Sequence, residues 1–237
     1  MKYLLKDTSI VRMPELDRLI QFDPRSKAHP VMAQIKVKEP RSYTWRCIPV
    51  FDQGKEGGCV GAGIIGELAA RPSEVPNLTY EYGRKEIYWP AQRIDPWEGG
   101  AYPGASPFYE GTSVLAGVKV AQKLGWFESY YWSFSLEELV IAVGRYGPAV
   151  MGTIWTEGMA TPDYANTIHV TGASLGGHCY LVRGVDVKRK RFLVLNSWGN
   201  LWGEDGNCWI SFNDMNVLLK TDGEAVFFKN RHKVAQP

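Results

Sequence analysis

Five short β-type runs follow one another in the second half of this 237-residue chain, after a first half in which helix-type patterns prevail. They begin at Ala149 and read AVMGTIW, HCYLVRGVDV, RFLVLNSW, NCWISF and EAVFFK. Because the strands follow the helices instead of alternating with them, this order predicts an α+β fold in which the two kinds of element are segregated. A helical part packed against an antiparallel part would leave a cleft between them.

Three helices are predicted ahead of these strands. The first begins at Cys59, runs through VGAGIIGELAA and is closed by Pro72. Its internal glycines each cost ~1 kcal/mol relative to alanine, so they indicate that another element approaches this helix closely. The second has Thr112 or Ser113 as its N-cap, and the third begins with a capping box at Ser135.

The charge balance argues against some classes of partner. The formal net charge is +2, whereas binding nucleic acid requires a concentrated basic face, so no nucleic-acid partner is expected. The basic run KRKR at 188–191 lies between two β-type runs and is predicted to be a solvated hairpin turn. No segment approaches the ~20 apolar residues of a membrane span. The N-terminus lacks the pattern of a secretory signal, so we expect a cytoplasmic protein without a membrane partner.

Four cysteines are spread along the chain without a C-x-x-C pair, at positions 47, 59, 179 and 208. They do not have the pattern of a disulfide framework at this chain length, so reduced thiols are expected. His178 and Cys179 are adjacent and would point to opposite faces of a strand, and no second close pair of ligands accompanies them. We therefore predict neither a metal site nor a cofactor.

Cys59 stands between a glycine-rich turn and the first predicted helix. Backbone amides and the helix dipole at a helix N-terminus stabilise a thiolate, so the position suits a nucleophile. Gln53 lies six residues upstream, where its side-chain amide could point at the same oxygen as the Cys59 N–H. A small buried hydrophobe at the start of a core helix explains the cysteine equally well at this point.

A base and its orienting partner are available in the strand region. His178 lies at the mouth of a predicted strand in GGHCYLV, which favours it over His169 as the base. Asn196 ends the next strand, and a simple hairpin about the charged turn would set it roughly opposite His178. An amide oxygen there could accept one imidazole N–H and fix the ring.

Three separated stretches resemble the papain family of cysteine proteases. They are YTWRCIPVFDQGKEGGCVGAG, then YGPAVMGTI with GGHCYLVRGVD, and LVLNSWGNLWGEDGNCWI. The resemblance covers about 45–228. It implies a papain-like two-lobe fold, in which a helical lobe and an antiparallel β-barrel-like lobe enclose the active-site cleft.

The resemblance also implies roles for individual residues. Cys59 would be the nucleophile, His178 the general base and then acid, Asn196 the orienting residue, and Gln53 the oxyanion donor. Trp198 would cover the histidine–asparagine hydrogen bond, and Trp202 would line the leaving-group side of the cleft. Cys179 would line a substrate pocket suited to a medium-sized apolar side chain. The residues implied to bind substrate are Trp198, Trp202, Glu110, Gly111, Gly177 and Cys179.

The chain also departs from the family's pattern. Glu56 stands where the family has a disulfide cysteine, and Val60 replaces an aromatic residue. The glycine-containing stretch that binds substrate backbone is missing, and EGTS at Glu110–Ser113 is the predicted replacement edge. Together with the lack of a signal, the lost disulfide indicates a reducing compartment and a prokaryotic or phage type of homologue.

We expect an N-terminal arm over 1–44, a mainly helical lobe over 45–128, a β-rich lobe over 129–230 and a tail over 231–237. The aromatic run at Glu128–Phe134 is predicted to pack where the chain crosses between the lobes. The expected partner is a polypeptide substrate, with self-inhibition by the arm. Two alternatives stay open: a binding or assembly protein without turnover, and a thiol acyltransferase or cell-wall amide hydrolase.

Overall fold

The computed structural model describes residues 16–231. The first fifteen residues of the predicted arm, and the predicted tail beyond Arg231, lie outside this range. Within it, every helix is too short or too polar to cross a bilayer.

Helices and strands alternate through the middle of the described chain, and a run of strands follows that a single α-helix interrupts. The helices are α1 (Cys59–Ala69), α2 (Tyr80–Tyr82), α3 (Trp89–Gln92), α4 (Val114–Lys123), α5 (Leu136–Arg145) and α6 (Phe212–Lys220). The strands are β1 (Arg18–Leu19), β2 (Tyr43–Thr44), β3 (Thr112–Ser113), β4 (Phe127–Ser133), β5 (Ala149–Thr156), β6 (Thr167–Ile168), β7 (Ser174–Asp186), β8 (Arg191–Leu195), β9 (Asn207–Ser211) and β10 (Glu224–Arg231). A π-helical turn, Gly83–Tyr88, joins α2 to α3.

One sheet of eight strands organises the molecule. Its order is β4-β10-β5-β7-β8-β9-β6, and β2 pairs with β7 outside this path. All pairs are antiparallel except β6 with β9. The five predicted runs form β5, β7, β8, β9 and β10, so the α+β prediction is confirmed. The pairing path runs from β4 to β6, and closure into a barrel stays a prediction.

Both faces of the sheet are covered, because successive side chains of its central strands point alternately into two apolar clusters. In β7, Cys179 and Leu181 face the cluster built on α1 and α4, while Tyr180 and Val182 face the cluster that contains α5. Helix α1 is buried along its whole length, so it lies between the sheet and the other helices.

The three predicted helices are confirmed as α1, α4 and α5. At the start of α4, the Ser113 hydroxyl accepts a hydrogen bond from the Ala116 N–H at 3.0 Å. At α5, the Ser135 hydroxyl accepts from the Glu138 N–H at 3.2 Å. The capping box differs in one detail, because the Glu138 carboxylate accepts from the Phe134 N–H at 2.7 Å, one residue before the cap.

The helical stretch from α2 to α3 has no counterpart among the predictions. It contains Gly83 and Pro90, which in sequence are helix-breaking signals. Gly83 is nevertheless needed, because a Cβ added there would lie 2.9 Å from the Ile65 Cδ1 and 3.1 Å from the Gly61 carbonyl oxygen.

In α1, Gly61 and Gly63 mark close approaches, as predicted, because an added Cβ would lie 2.6 Å from the Gly83 carbonyl oxygen and 2.7 Å from the Cys179 sulfur, respectively. Gly66 does not, because a Cβ there would have no neighbour closer than 3.9 Å. The aromatic run at Glu128–Phe134 forms most of the edge strand β4.

Candidate active site

Cys59 is the first residue of α1 and has no solvent-exposed surface. Burial, as the larger cause, and the negative charge of Asp17 raise the pKa of its thiol to about 12. Backbone hydrogen bonds with Cys179 and Asp17, and the charge of Arg18, act in the opposite direction. In this conformation the sulfur is therefore a protonated thiol at neutral pH.

His178 and Asn196 are in direct contact. The His178 Nε2 lies 2.8 Å from the Asn196 Oδ1, and both residues are buried. The same Oδ1 accepts a hydrogen bond from the Ser197 backbone N–H at 2.8 Å, which can only donate. This bond fixes the amide orientation, so the proton of the neutral imidazole lies on Nε2. The lone pair is then on Nδ1, which has no hydrogen-bond partner among residues 16–231.

The hairpin that carries these two residues has a different register from the predicted one. Leu195 pairs with Leu181, and the register shifts between Val182 and Gly184. Extending the ladder would set position 196 opposite position 180, so the prediction that Asn196 lies roughly opposite His178 was wrong by two residues. The turn, closed by the Asp186–Arg191 pair, is centred later in the chain than predicted and by itself would set position 196 opposite position 181. The β-bulge moves position 196 one residue closer to His178, and the side chains meet along a diagonal.

Two tryptophans pack against the imidazole of His178, and a third packs against these two. The ring centroids of Trp198 and His178 lie 5.1 Å apart with the planes tilted by 34°. Trp155 approaches His178 edge-on, at 4.8 Å and 76°. Trp202 packs against Trp198 at 5.6 Å and donates its indole N–H to the Ala160 carbonyl oxygen at 2.8 Å. The burial of His178 lowers its pKa to about 4, and the hydrogen bond with Asn196 opposes this shift.

Sequence patterns do not single out Trp155, which is fully buried. Thr153 of β5 pairs with His178 of β7, and Trp155 lies two residues further along the same face. If the pairing of β5 with β7 were known, it would place Trp155 beside His178. The connection between these strands is too long for that pairing to be predicted from a hairpin pattern.

Gln53 is fixed by contacts at both ends of its amide. Its Oε1 accepts a hydrogen bond from the Ser197 hydroxyl at 2.6 Å, and its Nε2 donates to the Glu56 carbonyl oxygen at 2.9 Å. The Gln53 backbone N–H also donates to the Ser197 carbonyl oxygen at 2.9 Å. Since an amide nitrogen carries two hydrogens, Nε2 keeps a second donor.

The Glu56 carboxylate faces the helical stretch from α2 to α3. It lies 3.4 Å from the Arg84 guanidinium, and it accepts hydrogen bonds from the Tyr80 hydroxyl at 3.4 Å and the Trp89 indole N–H at 3.3 Å. A cation and two donors therefore compensate this charge near Cys59.

The N-terminal arm contacts both β3 and β7. Strand β1 pairs in parallel with β3, and Asp17 forms a bridge with Gly177 next to His178. A Cβ at Gly177 would collide with the Arg18 carbonyl oxygen. The Arg18 side chain forms a buried ion pair with Glu224, with Nη2 2.6 Å from Oε1. The arm thus lies against both the edge predicted for a peptide and the strand that carries His178.

Glu110 and Gly111, the other residues predicted at that edge, directly precede β3. The Glu110 carboxylate accepts a hydrogen bond from the Gly57 N–H at 3.3 Å. The Gly111 N–H donates to the Tyr88 hydroxyl at 2.8 Å, and its carbonyl oxygen accepts from the Gln92 side chain at 2.9 Å. These bonds attach the β3 edge to α3 and to the turn before α1.

Cys179 contacts Cys59 through its backbone, while its side chain points to α1. A Cβ added at Gly63 would lie 2.7 Å from the Cys179 sulfur. All four cysteines are free thiols. Within residues 16–231, no cluster of three or more histidine, cysteine, aspartate or glutamate side chains is arranged to hold a metal ion.

Solved structures of cysteine proteases share this architecture. Xylellain, a cysteine protease from Xylella fastidiosa, superposes with a TM-score of 0.69 at 18% identity, over 92% of this chain and 97% of that one. Digestive procathepsin L 3 from the larval midgut of Tenebrio molitor gives 0.57 at 18%, over 84% and 73%. The bromelain protease of Ananas comosus gives 0.53 at 13%, over 81% and 100%.

No family model and no curated protein matches the sequence. The structural likeness defines the fold, which is α+β and papain-like, as the sequence motifs predict. At such low identities the chemistry has to be argued from this chain's own residues.

Proposed function

We propose that this chain is a cysteine peptidase that hydrolyses peptide bonds through a thioester intermediate. Cys59 is the nucleophile, His178 the base and then the acid, Asn196 the orienting residue, and Gln53 an oxyanion donor. The observation that carries the proposal is the 2.8 Å contact between His178 Nε2 and Asn196 Oδ1, because it leaves Nδ1 as the proton acceptor.

The proposed reaction uses these four residues in turn. His178 Nδ1 takes the Cys59 proton, and the thiolate attacks the peptide carbonyl carbon. The oxyanion is stabilised by the Cys59 backbone N–H at the start of α1 and by the second Gln53 Nε2 hydrogen. Collapse breaks the C–N bond, and the amine leaves with the proton from His178. A water molecule, deprotonated by the same imidazole, then hydrolyses the thioester and restores the thiol.

The tryptophans have a role in this scheme. Trp155 and Trp198 pack against the imidazole and keep water from the His178–Asn196 hydrogen bond. Such a bond is stronger in a water-poor site than in water, so the ring stays oriented while it gains and loses a proton.

We also propose that the N-terminal arm inhibits the enzyme in this conformation. The support is that β1 occupies the β3 edge, that Asp17 reaches Gly177, and that Cys59 is fully buried. An extended substrate would need the same sheet edge, because peptides commonly bind by adding a strand.

The test uses the full chain and an Arg18→Ala variant, in which the buried ion pair that anchors the arm is lost. Each is assayed with a fluorogenic peptide library, and the products are identified by mass spectrometry. Cys59→Ala is expected to lower hydrolysis by about 10³-fold or more. The matched control Cys47→Ala, a half-buried cysteine, should retain it. Undiminished hydrolysis in the Cys59→Ala protein would refute the assignment.

The same assay separates the alternatives. Adding an amine acceptor shows whether water or the amine captures the acyl group, which distinguishes a hydrolase from an acyltransferase. Peptide binding without products in Arg18→Ala would indicate a binding protein.

A further inference from the structure

The Arg18 side chain fills a buried pocket lined by Glu224, Gly152 and Val114. This side chain has no exposed surface, and the Glu224 side chain is 4% exposed. The Arg18 Nε and Nη2 donate to the same Glu224 Oε1, at 3.1 Å and 2.6 Å, and Nη2 also donates to the Asp222 carbonyl oxygen at 2.9 Å. The pocket therefore pairs the charge and two of the three nitrogens of the guanidinium, while Nη1 has no hydrogen-bond partner among residues 16–231.

The space for this side chain depends on a glycine. Gly152 of β5 pairs with Glu224 of β10 at the pocket wall. A Cβ at Gly152 would lie 2.7 Å from the Arg18 Nε, 2.8 Å from the Val114 Cγ2 and 2.9 Å from the Glu224 Oε1. Any larger residue at 152 would thus occupy the space that the arginine fills.

Glu224 is an unusual residue for the floor of such a pocket. A buried carboxylate without a cation is costly, and burial indeed raises the pKa of Glu224, while the charge and hydrogen bonds of Arg18 oppose the shift. An apolar side chain in the pocket would leave this carboxylate unpaired. A basic side chain supplies the positive charge that pairs with the Glu224 carboxylate.

The pocket lies at the site described above. Arg18 is part of β1, the strand that pairs with the β3 edge, and its charge acts on the Cys59 thiol. A peptide that replaced β1 along the same edge would project one of its side chains into the same pocket.

We propose that this pocket is a specificity subsite that selects an arginine or lysine side chain of the polypeptide substrate, with Glu224 as the determinant. The inference rests on the proposed peptidase function. It replaces the expectation of an apolar side chain based on Cys179, whose sulfur lies against α1. Arginine should be preferred over lysine, because Glu224 and the Asp222 carbonyl both accept from one guanidinium.

Two readouts keep the subsite and the chemistry separate. The first is binding, measured by fluorescence anisotropy with full-length Cys59→Ala/Arg18→Ala protein. The labelled probe is a peptide with the sequence of residues 16–21, LDRLIQ, and its matched version with leucine at the third position. The second is kcat/KM across a positional-scanning library, measured with full-length Arg18→Ala protein.

The arginine peptide should bind at least about 30-fold more tightly than the leucine peptide, and Glu224→Gln should abolish the difference. The library should show arginine or lysine preferred at one position, and Glu224→Gln should remove that preference. Glu67→Gln is the matched control, because Glu67 is also buried, pairs with Arg231 and lies at the far end of α1. It should change neither readout.

Each outcome has a distinct meaning. An arginine preference in binding without any turnover supports the subsite and refutes the peptidase proposal. Turnover without a preference for basic side chains refutes the subsite proposal but not the peptidase proposal. Equal binding of the two peptides, no binding of either, or a preference that survives Glu224→Gln also overturns the subsite.

Discussion

The imidazole of His178 is held by one acceptor and surrounded by aromatic rings. Asn196 Oδ1 accepts from Nε2, and Trp155 and Trp198 pack beside the ring. Such a site stabilises a neutral imidazole that has a defined tautomer. In the proposed mechanism, this arrangement keeps His178 unprotonated and leaves its Nδ1 to accept the proton.

This burial predicts a pH dependence of folding stability. The pKa of His178 is about 4 in the folded protein, against 6.5 for an ordinary histidine. Between these values the unfolded chain binds more protons than the folded one, so stability is lost as the pH falls from 6.5 towards 4. The loss amounts to about 3 kcal/mol.

Urea unfolding between pH 4.5 and 7.5 measures this dependence. A His178→Gln variant should lose most of the histidine contribution to the slope. The control is His169→Gln, because His169 is exposed and pairs with Asp163 at the surface. Equal slopes in the two variants would contradict the prediction.

The sequence was informative about residues whose chemistry has a local signature. Cys59 follows a glycine-rich turn, and the motifs around His178 and Asn196 give both their order and their spacing. The Arg18–Glu224 pair has no such signature, since it joins residues 206 positions apart and depends on how the arm lies on the folded body. Long-range contacts of this kind are not encoded in any short pattern.

At the level of elements, α1 shows how packing overrides helix propensity. Gly61 faces the carbonyl oxygen of Gly83, where a Cβ would lie 2.6 Å away, whereas a Cβ at Gly66 would meet only the Leu181 side chain at 3.9 Å. The first glycine is therefore required by a close approach, and the second is not.

Two alanine substitutions test this difference. Gly61→Ala is expected to destabilise the protein by about 1–3 kcal/mol, because the new methyl group forces α1 away from the Gly83 turn. Gly66→Ala should stabilise it by about 0.5–1 kcal/mol, because the helix loses a glycine and gains an ordinary contact. The free energy of unfolding of each variant is measured by chemical denaturation. Changes of the same sign in both variants would contradict the prediction that only Gly61 is required by a close approach.

The elements predicted correctly are those with a local pattern. Helix α5 has a capping serine and an apolar stripe, and β8 is a short apolar run between turns. The hairpin register was missed because the turn closed by the Asp186–Arg191 pair is centred later in the chain than predicted, and the bulge beside Arg183 compensates this offset only in part. Arg183 itself donates to the Asn207 side chain at 2.8 Å, a contact between strands that no alternation pattern reveals.

At the level of the whole molecule, the N-terminal arm is joined to the rest of the fold by strand pairing and by a buried ion pair. Strand β1 pairs with β3, β2 pairs with β7, and the Arg18–Glu224 ion pair is buried between them. Removing one partner of a buried ion pair costs about 3–5 kcal/mol, because the other charge is left unpaired. The arm should therefore be released when Arg18 is removed.

Iodoacetamide alkylation, followed by peptide mass, measures that release. Cys59 should resist labelling in the full chain and react at least about 10-fold faster in Arg18→Ala, because the arm no longer covers the thiol. Arg25→Ala is the control, since Arg25 forms an exposed ion pair with Asp23 in the same arm. Equally fast labelling of Cys59 in the full chain and in Arg18→Ala would show that the arm does not protect it.

The pairing of β1 with β3 joins two parts of a single polypeptide, which affects how any competitor must act. A tethered strand has an effective concentration of about millimolar, so a free peptide at micromolar levels competes poorly, however well it fits. Dilution of the protein does not lower the bound fraction of a tethered strand, because its binding is unimolecular. A single cut between β1 and β2 would make the same contact bimolecular, and the arm would then dissociate as the protein is diluted.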